Sequence, residues 1–350
     1  YNDVMMGAPE IPLMVSAYQS GVRDYDVDLL WQAILHQQTT VGIDHPAGGF
    51  AGNERYDLYL KLGYIPTGAK GYGNYNSSTL EYAYQDWCAG QLAAALGHEA
   101  EAKTFAERGH NWKNIINPET GFASGRDSKG KWLNTWKGAE ATAWQYTWHV
   151  PHEPEAQAEY IGRERYLSRL TEGFEQSEPL KYMAPGDVMS RIKVNQGNQP
   201  MMHVAWLFNR LDEPWQTQRW VRSILDNYYG NTAFDAFPGD EDQGQMSGWL
   251  VMASLGLFQI DGGCATAPRY ELAAPVFTRV SLKLSSRYYG GRTFTIIAEG
   301  ASPENKYIQS ARLNGVPYNR SSVAQAEVLA GGTLELTLGP EPNQNWGNGK

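Results

Sequence analysis

The densest polar constellation in this 350-residue chain is Pro238-Gly239-Asp240-Glu241-Asp242-Gln243-Gly244-Gln245-Met246-Ser247, three consecutive acids beside two carboxamides, just ahead of the apolar stretch 249–257. Two chemistries fit it. Asp240 with Gln243, or Asp242 with Gln245, has the spacing of a capping box, and acids at a helix N-terminus gain from its dipole. Yet one cap needs one acid. On an extended approach Asp240 and Asp242 project to the same side and Glu241 to the other, which gives a carboxylate pair able to activate water or hold a cation.

A second acid, Glu140, opens the segment Glu140-Ala141-Thr142-Ala143-Trp144-Gln145-Tyr146-Thr147-Trp148-His149. It reads either as a first-turn helix acid or as a carboxyl desolvated by the surrounding rings, whose raised pKa would suit a general acid. Gln196-Gly197-Asn198-Gln199-Pro200 sets carboxamide oxygens at a tight turn, fit for capping the next helix or for binding a hard cation. His149, His152 and His203 lack the spacing of a transition-metal site and read as satisfied structural histidines. The chain has no GxSxG elbow, phosphate-cradling GxxxxGK[ST] loop or dinucleotide GxGxxG after a strand. What remains is hydrolysis by separated carboxylates in an aromatic-lined ring, which suits carbohydrate chemistry.

The elements that must carry these residues are mainly helical. Apolar residues recur at helix spacing over 24–38, 53–62, 76–97, 99–116, 139–149, 153–171, 199–211, 213–228 and 243–256. Asn76-Ser77-Ser78 supplies cap chemistry, and Gly97, Gly121, Gly197 and Gly256 stand in or beside the linkers. Short links such as Gly97-His98 make antiparallel pairs, and the lack of a fixed-period repeat favours a closed ring over a solenoid. After Gly262-Gly263 the composition turns to β-branched and aromatic runs at 276–284, 292–298, 307–313 and 333–338. Four such strands expose edges and one apolar face, so they should add to a larger sheet outside the chain unless they pack entirely on the helices.

Net charge is -9 and the pI about 5.3, which leaves no basic surface for nucleic acid or anionic membrane. No apolar run is long enough for a membrane span. Cys88 and Cys264 imply neither a disulfide framework nor a zinc site. The 12 Trp and 21 Tyr suit both core packing and the apolar faces of sugar rings. The chain opens at Tyr1 with no initiator Met and no leader-like region, as expected of a fragment or processed product.

Taken in order, Thr79-Leu80-Glu81-Tyr82-Ala83-Tyr84-Gln85-Asp86-Trp87-Cys88, Trp144-Gln145-Tyr146-Thr147-Trp148, Gly197-Asn198-Gln199-Pro200, Pro214-Trp215-Gln216-Thr217-Gln218 and Gly239 to Ser247 give a sequence that resembles the family 92 glycoside hydrolases. Tyr307-Ile308-Gln309-Ser310, Leu313-Asn314-Gly315, Pro342-Asn343 and Trp346-Gly347 extend the resemblance over essentially the whole chain. It implies an exo-acting, calcium-dependent α-mannosidase that inverts the anomeric centre, built as an N-terminal β-sandwich followed by an (α/α)6 toroid. This chain corresponds to the second part: a toroid over 1–262 and a β-rich segment over 263–350. That segment would complete a sandwich supplied by the same gene product or a companion chain.

By the same resemblance Glu140 is the general acid, Asp240 and Asp242 are the base carboxylates, and Asn198, Gln199 and Asp242 supply calcium-binding oxygens. Trp144, Gln145, Tyr146 and Gln245 are the expected contacts to a mannose-containing glycan. Gln199 stands where family members often carry Glu, and Ala141-Thr142 where they carry Gly-Asn after the acid. An inverting pair should stand about 6.5–9.5 Å apart. The competing expectations are a non-catalytic carbohydrate-binding protein and an (α/α)6 glycosidase of α-glucosides. The expected compartment is periplasmic or extracellular.

Overall fold

The computed structural model describes residues 6–44, 50–70, 76–183, 192–236, 239, 241–242 and 244–349. They form two compact units, Tyr1–Glu153 with Cys264–Thr266, and Pro154–Gly263 with Ala267–Lys350.

The first unit is built from helices α1 (Glu10–Gln19), α2 (Val27–Gln37), α3 (Tyr56–Leu62), α4 (Ser78–Leu96), α5 (Glu99–Gly109) and α6 (Ala143–Thr147). Two small antiparallel hairpins join them, β1 (Ile43–Asp44) with β2 (Phe50–Ala51) and β3 (Ile116–Asn117) with β4 (Phe122–Ala123). Ile11, Val15, Trp31, Ile34, Leu92, Phe105 and both cysteines form its core, each large apolar side chain contributing about 1.5–3 kcal/mol by burial. The Ala- and Leu-rich α4 is the spine of the unit and stops where Gly97 turns left-handed (φ 82°). Helix α1 was not among the sequence expectations. Its Pro12 sits in the first turn, where the missing N–H would have had no intrahelical partner. The helix expected over 139–149 shrinks to α6, because Thr142 caps it and residues before Thr142 belong to a loop.

In the second unit the stretch expected as one helix over 153–171 divides at Gly162 (φ 97°) into α7 (Pro154–Ile161) and α8 (Arg163–Ser177). The stretch 199–211 is 3-10 helix, Gln199–Met201 and Val204–Leu211, followed by α9 (Pro214–Asn227) and α10 (Gln245–Leu255). Strands follow: β5 (Leu257–Phe258), β6 (Arg269–Leu272), β7 (Arg279–Lys283), β8 (Thr293–Glu299), β9 (Tyr307–Leu313), β10 (Val316–Pro317), β11 (Ser322–Ala324) and β12 (Gly332–Gly339). Two short helices, α11 (Ser286–Tyr289) and α12 (Gln325–Leu329), interrupt them. One sheet has the order β10-β9-β12-β8-β7 and the other β11-β6-β5. Strand β12 runs parallel to β8 and antiparallel to β9.

The larger sheet does not await an outside sheet to bury its apolar face. Phe294, Ile296, Ile308, Leu334 and Leu336 already pack with Leu257, Leu272, Val323, Val328 and Trp346 of the same unit. The smaller sheet and α12, too short to show as periodicity, cover what the sequence left exposed.

Candidate active site

Glu140 lies in the loop before α6, outside any helix and exposed. The expectation that rings enclose it is therefore corrected: Tyr146 and Trp148 are buried, and the acid stays out. The loop itself is tightly braced. Asn76 and Lys137 exchange two hydrogen bonds, Asn76 N–H to Lys137 O at 2.8 Å and Lys137 N–H to Asn76 Oδ1 at 3.1 Å. Ala139 N–H donates to Ser77 Oγ at 3.2 Å, and Tyr146 Oη donates to Ala139 O at 2.9 Å. A Cβ on Gly138 would stand 2.5 Å from Ala141 O and from Trp136 Nε1, so only glycine lets the loop close this tightly.

On the other side, Thr142 and Gln145 form a reciprocal capping box. Gln145, an expected sugar contact, is buried and spends its Oε1 on Thr142 N–H at 2.8 Å. Trp144 is half-buried with its ring edge-on to Trp148 at 5.2 Å. Glu140 itself takes a left-handed backbone (φ 55°), which costs a non-glycine residue roughly 1–2 kcal/mol and persists only because the surroundings over-determine it.

The second carboxylate loop belongs to the other unit. Asp240 and Gln243 lie outside the described residues; Asp242 is described and exposed. Its φ of 46° replaces the extended approach expected from the sequence with a left-handed turn. Glu241 holds the start of α10, accepting from Ser247 Oγ at 2.6 Å and Ser247 N at 3.3 Å, while its carbonyl accepts Gln245 N–H at 3.1 Å. The neighbouring acid is thus committed to α10, and Asp242 is left at the surface.

The 196–199 turn meets this loop. Gly239 (φ 120°) comes so close that a Cβ there would be 3.0 Å from Gly197 Cα and 2.8 Å from Tyr228 Oη. Asn198 is buried and extended (φ -138°, ψ 137°), and its side chain makes no cap hydrogen bond to the 3-10 turn it precedes. Gln199 is half-buried. The donor set of Asn198, Gln199 and Asp242 is all oxygen, which fits a hard cation such as calcium and does not fit zinc. Among the described residues no three His, Cys, Asp or Glu side chains gather as a metal cluster.

Sequence reasoning missed the support of this loop. Tyr229 stacks on Trp249 at 5.5 Å, accepts from Gln196 Nε2 at 3.5 Å and donates to Met246 O at 3.2 Å; burial raises its pKa well above the ordinary tyrosine range. The adjacent Tyr228-Tyr229 pair and Trp249, one turn into the helix after the acids, were the available signals.

His149 and His152 each bind another group of the protein, and His203 is buried. His149 Nε2 pairs with Glu81 Oε1 at 2.9 Å. His152 is bound to Gly109 O at 3.0 Å, and burial lowers its pKa to about 4. Asp86, deep in α4, belongs to one of the motifs that carry the family resemblance, and its environment emerges only in the fold. It accepts from Gln38 Nε2 at 2.9 Å, Tyr59 Oη at 2.8 Å and Arg108 at 2.6 and 2.9 Å. Burial nonetheless raises its pKa to about 6, the attraction of Arg108 only partly opposing it.

Carboxylates presented by separate braced loops serve as proton donor and proton acceptor in glycoside hydrolases, and comparison with known proteins agrees with that class. The chain belongs to glycosyl hydrolase family 92, whose catalytic domain matches residues 1–340. It is similar to a family 92 α-mannosidase of Bacteroides thetaiotaomicron, with 29% identity, a TM-score of 0.83 and coverage of 98% of this chain and 43% of that one. A family 92 inverting mannosidase of Bacteroides thetaiotaomicron VPI-5482 gives 29% identity and a TM-score of 0.85, covering 100% of this chain and 48% of the other. An uncharacterized secreted glycosidase of Arthroderma benhamiae is 26% identical over 97% of this chain and 45% of its own length. The chain thus spans less than half the length of each of these relatives. Among the described residues no helix is long and apolar enough to cross a membrane.

Proposed function

We propose that this chain carries the catalytic machinery of an inverting, exo-acting α-mannosidase of terminal mannosyl residues, in a secreted or periplasmic protein. The observation that carries the reading is the pair of exposed carboxylates, Glu140 and Asp242, each on a braced left-handed turn within a family 92 catalytic domain. Glu140 protonates the departing glycosidic oxygen while Asp242, with Asp240, takes a proton from the attacking water on the opposite face of the sugar. Trp144 offers its ring to the sugar. Asn198, Gln199 and Asp242 would hold a calcium ion, whose positive charge binds sugar hydroxyls when it is bound. For the helices we infer the (α/α)6 toroid that the family resemblance implies.

The test is hydrolysis of an α-linked mannobiose followed by NMR, before and after chelation with EDTA. The expected first product is β-mannose, with activity lost on chelation and regained with calcium. An α-anomeric first product would overturn the mechanism, unimpaired activity after exhaustive chelation the cation, and cleavage of α-glucosides alone the substrate.

A further inference from the structure

The second unit contains a cavity that the proposed chemistry does not use. It encloses about 720 Å³ and is lined from α7, the 3-10 helix Val204–Leu211, β6, β11 and the segment at 347–349, with no residue from the acidic loop or the 196–199 turn. That volume lies within the roughly 300–1,000 Å³ typical of ligand clefts. Four arginines and four carboxylates line it. At its heart Arg210 Nε stands 2.6 Å from Glu271 Oε1 and its terminal nitrogen 3.2 Å from Glu155 Oε1; Arg269 reaches the same two oxygens at 3.5 and 3.4 Å. Burial raises Glu271 to about 7, against the pull of Arg210, so the lining is balanced in charge above that pH.

Such a network carries no net field for an anion or a cation, and either would have to break a paired group to enter. It does present fixed donors and acceptors, which suits a ligand that has both and no charge. Asn209 holds this wall in place. It is 6% exposed, and its Nδ2 is committed to Leu272 O and Ser321 O at 3.0 Å each, which fixes the amide orientation. Tyr318 adds a half-buried ring to the wall, its own hydroxyl bound to Ser322 O at 2.8 Å, and flat aromatic faces suit the C–H faces of sugars.

We propose that this cavity is a second carbohydrate site, which holds a neutral glycan segment without cleaving it. The proposal does not depend on turnover, so it stands or falls apart from the mannosidase reading.

The test is calorimetric titration of α-linked mannotriose into the protein carrying Glu140→Gln, so that the probe is not consumed. Two trisaccharides per chain are expected. Ala324→Trp, an exposed lining position, should fill the cavity and reduce the stoichiometry to one while leaving hydrolysis of an aryl α-mannoside unchanged in the otherwise wild-type protein. Tyr318→Leu should weaken the second site about tenfold, the upper end of what an aromatic contact contributes. Trisaccharide binding that neither substitution alters, or inorganic phosphate and trigalacturonate binding there in preference to the neutral sugar, would each overturn the proposal. Loss of mannosidase activity with cavity binding intact would overturn only the catalytic reading.

Discussion

The loop carrying Glu140 and the loop carrying Asp242 are held by different means. Around Glu140 the restraint is in the backbone: Lys137 and Ala139 are tied to Asn76, Ser77 and Tyr146, and a capping box closes the far side. Around Asp242 much of it comes from another acid, since Glu241 reaches forward to Ser247 and leaves its neighbour outside. A general acid must meet one glycosidic oxygen, whereas a base acts through a mobile water. On the proposed roles, the firmer scaffold lies under the group with the narrower positional tolerance.

The comparison can be broken most directly at the carboxylates. Asp242→Asn should lower kcat by about 10² to 10⁴ on every mannoside, whatever the leaving group. Glu140→Gln should lose as much on a disaccharide but recover substantially on an activated aryl mannoside, which needs little protonation. Equal rescue of the two variants in parallel assays would contradict the division of roles.

A smaller effect tests the scaffolds. Gly138→Ala forces a Cβ into Ala141 O and should cut kcat by about tenfold or more through misaim of Glu140, since an ångström of displacement can cost about 10²-fold. Ser247→Ala removes only one hydrogen bond from Glu241 and should cost a few-fold, about 1 kcal/mol or less. Steady-state kinetics that reverse this order would show that the second loop is the more demanding.

A further effect, on stability and not on rate, is in pH. His152 follows the α6 segment, and its folded pKa of about 4 lies below the ordinary 6.5. The unfolded chain therefore binds more protons, and stability falls as pH drops from about 6.5 to 4. Asp86 works the other way. Its folded pKa of about 6 against 3.8 means the folded state binds the extra proton, so stability rises as pH falls through that window. Both belong to the first unit. At pH 5 the two oppose each other by about 1–2 kcal/mol each, and His152→Gln should leave Asp86 dominant, giving a smaller loss, or a gain, in unfolding midpoint between pH 7 and pH 5. A midpoint drop in His152→Gln as large as in wild type would remove His152 from this role.

How far the sequence reached follows from the same contrasts. Helices α4, α9 and α10 were legible because their boundaries carry Gly, Pro or Asn. Strands β7, β8, β9 and β12 were legible from their β-branched and aromatic runs. Strands β5, β6 and β11 hold two to four residues each, too few for alternation to be read. The stretch 199–211 carries helical periodicity that does not distinguish 3-10 from α.

At the site, the spacing of the acids admitted capping by Asp240 or Asp242 and could not show that Glu241 would reach Ser247, because that depends on a left-handed turn at Asp242. Asp86 gave no hint of its burial. Its partners Gln38, Tyr59 and Arg108 come from three other elements, and only the fold assembles them.

One feature of the β region constrains how the molecule is made. Strand β12, the last in the sheet order to be synthesised, is inserted between β9 and β8 and pairs with β8 in parallel. Until residues 332–339 have left the ribosome, or the export channel if the chain is secreted, β8 and β9 have no central partner. Their inner apolar residues, Phe294, Ile296 and Ile308 among them, lack much of their cover. Sheet closure is therefore a late, non-local event, slow in the way long-range strand pairing is slow, and any ribosome stall or proteolytic cut before Gly332 yields two adhesive strand edges.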